Sequence, residues 1–252
     1  MSDVKPAGWK SREMKMVHTY LRREYSLLPK VVRGVAAGDQ ASAEFVADHI
    51  QFISVTLEEH HGGEDKHIWP RLLVRCPEDL APVVHLMEHH HEGIAGALGE
   101  LPAALATWRG TADPKRGEAI AGAVDGLAAA LFEHLKAEED RVLPLIEEHI
   151  TADEWNAMVS QGAANIPPEK GPVLFGMVMY EGDPEAVKDA LENIPQDVRA
   201  GIREAAPKAY AAYAERLYGT QTPPRIGLLR EYPSGIDVDD ASDSTHIGRP
   251  HT

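Results

Sequence analysis

Apolar positions recur at helical spacing in four stretches of the first 150 residues. In the first, Met14, His18, Leu21, Tyr25, Leu28 and Val32 share one stripe before a break at Gly38-Asp39, which predicts a helix of several turns bent at Pro29. The second runs from about 40 to 73, with Phe45, His49, Phe52, Thr56, His60 and Glu64 on one face and Cys76-Pro77 closing it. The third, from about 78 to 108, carries Val83, Met87, His90 or His91, Ile94, Leu98 and Leu101. The fourth opens near Asp113-Pro114 and carries Ile120, Val124, Leu127, Leu131, His134, Glu138 and Leu145. Long amphipathic helices joined by short connections predict an all-α fold, with an antiparallel four-helix bundle over 1–150.

The stripes repeat. An offset of 74 places His60, Glu64, Asp65, Ile68 and Pro70 on His134, Glu138, Glu139, Val142 and Pro144. An offset of 73 places Met14, His18, Leu21 and Leu28 on Met87, His91, Ile94 and Leu101. The bundle therefore reads as two copies of one helical hairpin. Each copy gives one histidine from its first helix and a His-x-x-x-Glu pair from its second.

Composition sharpens this picture at three points. Of 13 histidines, 11 lie at or before position 149, so a residue that ligates metals is concentrated in the repeated part. The net charge of -15 repels phosphate backbones and anionic lipid surfaces, which argues against nucleic-acid and membrane partners. A single cysteine, Cys76, leaves no intrachain disulfide and suits a reducing compartment. With no apolar leader at the start and no run long enough to span a bilayer, the expectation is a soluble, cytoplasmic protein.

Residues four apart on a helix lie one turn up on the same face, so His60 with Glu64, and His134 with Glu138, reach one point. A lone pair of this kind is ordinarily a surface contact worth a few tenths of a kcal/mol, of order ~0.3. Here both pairs fall on apolar stripes, where an unpartnered charge is costly. With His18 and His91 facing them, they supply four imidazoles and two carboxylates. That set suits two metal ions with bridging carboxylates, and iron or manganese better than a closed structural zinc site.

The order His18, His60-x-x-x-Glu64, His91, His134-x-x-x-Glu138, within HHGGEDKHIWPRL and EHLKAEEDRVLPLI, resembles the hemerythrin-like HHE cation-binding family over about residues 11–150. The resemblance implies a non-haem centre of two iron ions, oxo- or hydroxo-bridged, with His18, His60, Glu64, His91, His134 and Glu138 as ligands. It also implies a small ligand: dioxygen, peroxide or nitric oxide, bound, sensed or turned over. A catalase-like or oxidase enzyme at the same centre and a non-catalytic iron sensor are the alternatives. Oxygen-carrying hemerythrins have a His-x-x-x-His pair on the third helix, whereas Met87 and Ala95 flank His91 here. One imidazole fewer leaves more open metal positions, which favours reaction over reversible carriage.

Other residues have less settled roles. Periodicity does not separate His90 from His91, and the repeat offset and the family pattern select His91. His85 and His89 read as a solvated face, and His61 as an extra ligand, an outer partner or a surface residue. Asp65 and Glu139 are placed to hydrogen-bond ligating imidazoles, and His49, eleven residues before His60, is too far away to join them. Gly62-Gly63 costs about 2 kcal/mol inside a helix, so the second helix either opens there or is held by metal. Residues 151–218 read as a helical extension packing on the bundle, with a bend at Pro207. Within it, Phe175, Met177 and Tyr180 are expected to cap the bundle, restrict access to the metals or form a homodimer contact. From 219 to 252, turn residues and an acidic run predict an irregular tail unrelated to the site, His246 and His251 included.

Overall fold

The computed structural model describes residues 7–192 and 196–227, and among them there is helix but no strand. Four long helices form the bundle: α1 (Trp9–Arg33), α2 (Gln40–His67), α4 (Pro77–Arg109) and α5 (Pro114–Arg141). Two short helices, α3 (Trp69–Arg75) and α6 (Leu143–His149), follow α2 and α5. Helix α1 packs beside α5 and α2, and α4 packs beside the same two, giving the antiparallel square expected of short connections.

The repeat is visible in the backbone. Helices α5 and α6 start and end 74 residues after α2 and α3. Asp39 caps α2 by accepting from Ser42 N at 3.1 Å, and Asp113 caps α5 by accepting from Arg116 N at 2.9 Å. The residues before these caps, Gly38 and Ala112, both take positive φ, and Gly38 N donates to Ala112 O at 3.3 Å, so the two turns meet. Apolar spacing predicts that the second and fourth helices run on to about 73 and 145. Each instead breaks once, at Ile68 and Val142, because Pro70 and Pro144 lack an N–H for the preceding turn and their rings crowd it. Gly62-Gly63 does not open α2. A Cβ on Gly63 would lie 3.1 Å from Met158 Cγ, so that glycine admits α7 (Ala152–Ala164), whereas Gly62 faces open space.

Two apolar clusters divide the interior. One contains Leu21, Leu57, Ile94 and Leu131; the other contains Met14, Ile68, Met87 and Val142. On each long helix the histidine and glutamate positions lie between a member of one cluster and a member of the other. The polar residues thus form a layer closed above and below by hydrocarbon.

The extension packs against the bundle. Trp155 on α7 donates to Glu13 at 2.8 Å, and Glu154 accepts from Arg71 and Arg75. Helices α8 (Gly171–Glu181) and α9 (Pro184–Glu192) lie against α1, α10 (Gln196–Tyr218) packs on α8, and Met177, Tyr210 and Leu217 complete the first apolar cluster. Gly176 is required there, since a Cβ would fall 2.3 Å from Ala206 O. Between bundle and extension lies a buried ionic group: Arg23 donates to Glu24 at 2.8 Å and to Met177 O at 3.0 Å, and Tyr218 donates to Glu24. The expected tail over 219–252, with His246 and His251, lies outside the described residues beyond 227.

Candidate metal centre

The structure brings His18 from α1, His60 and Glu64 from α2, His91 from α4, and His134 and Glu138 from α5 into the polar layer. Their donor atoms fall into two groups. His18, His60, Glu64 and Glu138 each offer an atom within 4.8 Å of the others, and so do His61, His91 and His134. The glutamates join the groups. Glu64 places Oε1 3.4 Å from His60 Nε2 and Oε2 3.5 Å from His91 Nε2; Glu138 Oε2 is 3.3 Å from His18 Nε2 and 3.7 Å from His134 Nε2. Under the repeat, these four distances are two pairs of equivalents, so the layer has an approximate twofold axis.

The outer contacts obey the same symmetry and cross it. His18 Nδ1 lies 3.0 Å from Glu139 Oε1, and His91 Nδ1 lies 2.7 Å from Asp65 Oδ1. Each half's single histidine is oriented by the other half's carboxylate, which leaves Nε2 facing the centre. Arg22 reinforces one side by donating to Glu139 at 2.6 Å.

His61 is the main addition to the sequence reading. It is 6% exposed, stacks on His91 with ring centroids 4.0 Å apart, and completes a group of three imidazoles with His91 and His134. A fifth imidazole thus joins the layer, from the second helix. Its repeat equivalent, Leu135, is fully buried, so the repeat itself indicated that position 61 faces inward. His90 is half-buried beside His134, His85 and His89 are exposed, and His49 sits in the ionic group at the extension, 3.1 Å from Glu24. Tyr180 and Met177 pack on the first apolar cluster; neither lines the cleft that reaches His61 and His91.

Burial governs the protonation of the layer. It pushes His60 down to about 3, helped by His18, and pushes His61 and His134 well below the ordinary imidazole range. Burial also works against a charge on His18, but Glu138 and Glu139 beside it raise its pKa. The carboxylates are driven apart: burial and then the Glu138 charge push Glu64 well up, while His18 and His134 outweigh burial and hold Glu138 down to about 2. The arrangement still leaves orphans: His18 Nε2, His60 Nε2, His61 Nε2 and all four oxygens of Glu64 and Glu138 are buried without a hydrogen-bond partner. Such atoms are rare in folded proteins. Donors of this kind converging on two points fit cations.

A helical bundle with imidazoles and carboxylates gathered in one internal layer defines a histidine–carboxylate metal-binding bundle. The family model of the hemerythrin HHE cation-binding domain matches residues 10–146, more than half of the 252, and the chain belongs to that family. Comparison with curated proteins and with solved structures gives no significant match. No described helix is long and apolar enough to cross a membrane.

Proposed function

We propose that this layer holds two iron ions bridged by Glu64 and Glu138, and that the chain binds, senses or reacts with dioxygen, peroxide or nitric oxide there. The observation that carries the reading is the set of orphaned donors. A buried polar atom without a partner costs about 1–3 kcal/mol, and one cation in each group would satisfy all of them at once. The proposed ligands are His61, His91 and His134 on one ion, His18 and His60 on the other, and the two glutamates between. Imidazole and carboxylate without thiolate suit iron. Bound iron supplies one-electron chemistry and open positions for small oxygen or nitrogen ligands.

The protein supplies orientation, protonation state and dryness. Asp65 and Glu139 hold His91 and His18 with Nε2 inward. Buried His60, His61 and His134 are neutral at pH 7, so their lone pairs are available without proton release. Glu64, whose carboxyl is held towards its neutral form by burial and the Glu138 charge, would be ionised to hold a cation. The two apolar clusters keep bulk water from above and below. Turnover, as in a catalase-like or oxidase enzyme, is the second reading, favoured by the cleft that brings solvent to His61 and His91.

Elemental analysis tests the centre: His60→Ala and Glu138→Ala should each remove most of the iron, and His246→Ala should not. Near-full iron in both site variants would overturn the reading. Reversible oxygen-dependent change in the visible spectrum separates binding from turnover, which rapid oxygen evolution from peroxide would reveal.

A further inference from the structure

The twofold repeat predicts two equivalent faces on the metal layer, one between α2 and α4 and one between α1 and α5. The structure shows that they are not equivalent. Between α2 and α4 a cleft of about 730 Å³ reaches His61 and His91. At roughly 30 Å³ per water, it has room for a hydrated divalent ion. It is open because its walls carry almost nothing: Gly62 has no atom within 4 Å of its Cβ position, and Ala95 is exposed. Its rim is acidic, formed by Glu58, Asp65, Glu88 and Glu92.

The repeat replaces all but one of these features on the other face, the exception being Asp65, whose equivalent is Glu139. Glu58 becomes Phe132, 1% exposed, and His61 becomes Leu135, 0% exposed. Gly62 becomes Lys136, Ala95 becomes Arg22, Glu88 becomes Lys15 and Glu92 becomes Thr19. Arg22 is 2% exposed and closes onto Glu139, 2.6 Å away. One face is filled and carries Lys15, Arg22 and Lys136 in place of the acids; its counterpart is hollow and acidic. At the floor of the hollow one, His61 is 94% buried, by its 6% exposure, and its Nε2 has no partner.

We propose that the α2/α4 cleft is the port through which divalent cations enter the centre, drawn by the acidic rim to the three imidazoles first and passed inward by Glu64. Glu64 is suited to the transfer, with one oxygen 3.5 Å from His91 and the other 3.4 Å from His60. The opposite face takes no part in loading. This inference rests on the metal reading above and adds the route.

The test is Co²⁺ uptake by the chelator-stripped full chain, followed by stopped-flow visible absorbance, with the final stoichiometry measured separately. A charged rim raises the local concentration of counter-ions and their on-rates by about 10- to 1000-fold, and salt screens it. The triple variant Glu58→Gln, Glu88→Gln, Glu92→Gln should therefore take up cobalt about tenfold more slowly at low ionic strength and lose most of its salt dependence. Gly62→Phe, which fills open space and improves helix propensity, should slow uptake at every ionic strength. Both should still bind the parent's number of ions at equilibrium, and Lys136→Gln should load at the parent rate. Parent-like rates in the triple variant and in Gly62→Phe, with full stoichiometry, would overturn the port alone. No cobalt bound by the parent at equilibrium would overturn the port together with the metal reading.

Discussion

Replacing Glu64 by glutamine should change the sign of its effect on stability according to whether cation is present. Glu64 is fully buried, with oxygens 3.4 and 3.5 Å from two imidazole nitrogens, no hydrogen bond to either, and the Glu138 charge beside it. In chelator, glutamine removes a carboxyl group whose ionisation burial and the Glu138 charge oppose in the folded state, a penalty of about 1–3 kcal/mol near neutral pH. For a chain of this size ~1 kcal/mol moves the melting temperature by roughly 2–4 °C, so the variant should melt about 2–12 °C higher than the parent. The sign of the pH dependence follows from the raised carboxyl pKa. Glu64's favourable contribution is present below the ordinary carboxyl range and is lost as pH rises through its folded pKa, so the gap should widen with pH. With Co²⁺ or Fe²⁺ at about 1,000 times its dissociation constant, each bound ion stabilises by about 4 kcal/mol, and loss of a bridging ligand forfeits most of that. The variant should then melt below the parent. Calorimetry of both proteins in chelator and in cation decides the matter. A lower melting temperature for Glu64→Gln in both conditions would show that Glu64 is an ordinary structural partner of His60 and His91.

Three further outcomes are expected. His61→Ala should lower the bound cations from two towards one, whereas His90→Ala should leave two by elemental analysis; equal stoichiometry in both would remove His61 from the ligand set. Asp65→Asn should weaken cation affinity by about 10- to 100-fold in a competition titration, because His91 loses the carboxylate that orients it. Burial opposes the charge on Glu24, but Arg23, His49 and Tyr218 hold its pKa down to about 2. That contribution, about 3 kcal/mol, is present above the ordinary carboxyl range and disappears as pH falls from about 4.5 towards 2. In urea melts across that range Glu24→Gln should show a flatter curve than the parent, from a lower starting stability.

The helices, and the convergence of His18, His60, Glu64, His91, His134 and Glu138 in one layer, were legible because helical spacing and duplication report the same faces twice. His18 and His91 are each ambiguous alone, and the offset of 73 that carries Leu21 to Ile94 makes them equivalent. His61 stayed open between ligand, outer partner and surface residue because a stripe assigns about one inward residue per turn. A metal layer is wider than a single stripe, and two consecutive residues 100° apart both reach it. The break after His67 escaped for a different reason: apolar periodicity continues through Ile68 and Leu72, and only the steric demand of Pro70 interrupts it. Arg23 and Glu24 were invisible, since charged residues are read as solvated unless the partner is known. Theirs, Tyr218 and Met177 O, come from the extension. Gly176 tells the same story, because its need for a bare Cα is set by Ala206, thirty positions away in sequence.

The crossed contacts, His18 with Glu139 and His91 with Asp65, make each hairpin an incomplete half of a lock. A free hairpin would hold its histidine without the group that aims it, and could assemble the centre only by finding a second hairpin, at a rate and extent set by dilution. Joining the two through α3 makes that encounter intramolecular, at an effective concentration of order ~1 mM for a short linker, whatever the abundance of the protein. Fusion also freed the halves to diverge. Histidine at 61 and leucine at 135, alanine at 95 and arginine at 22, are differences that two identical chains could never have had.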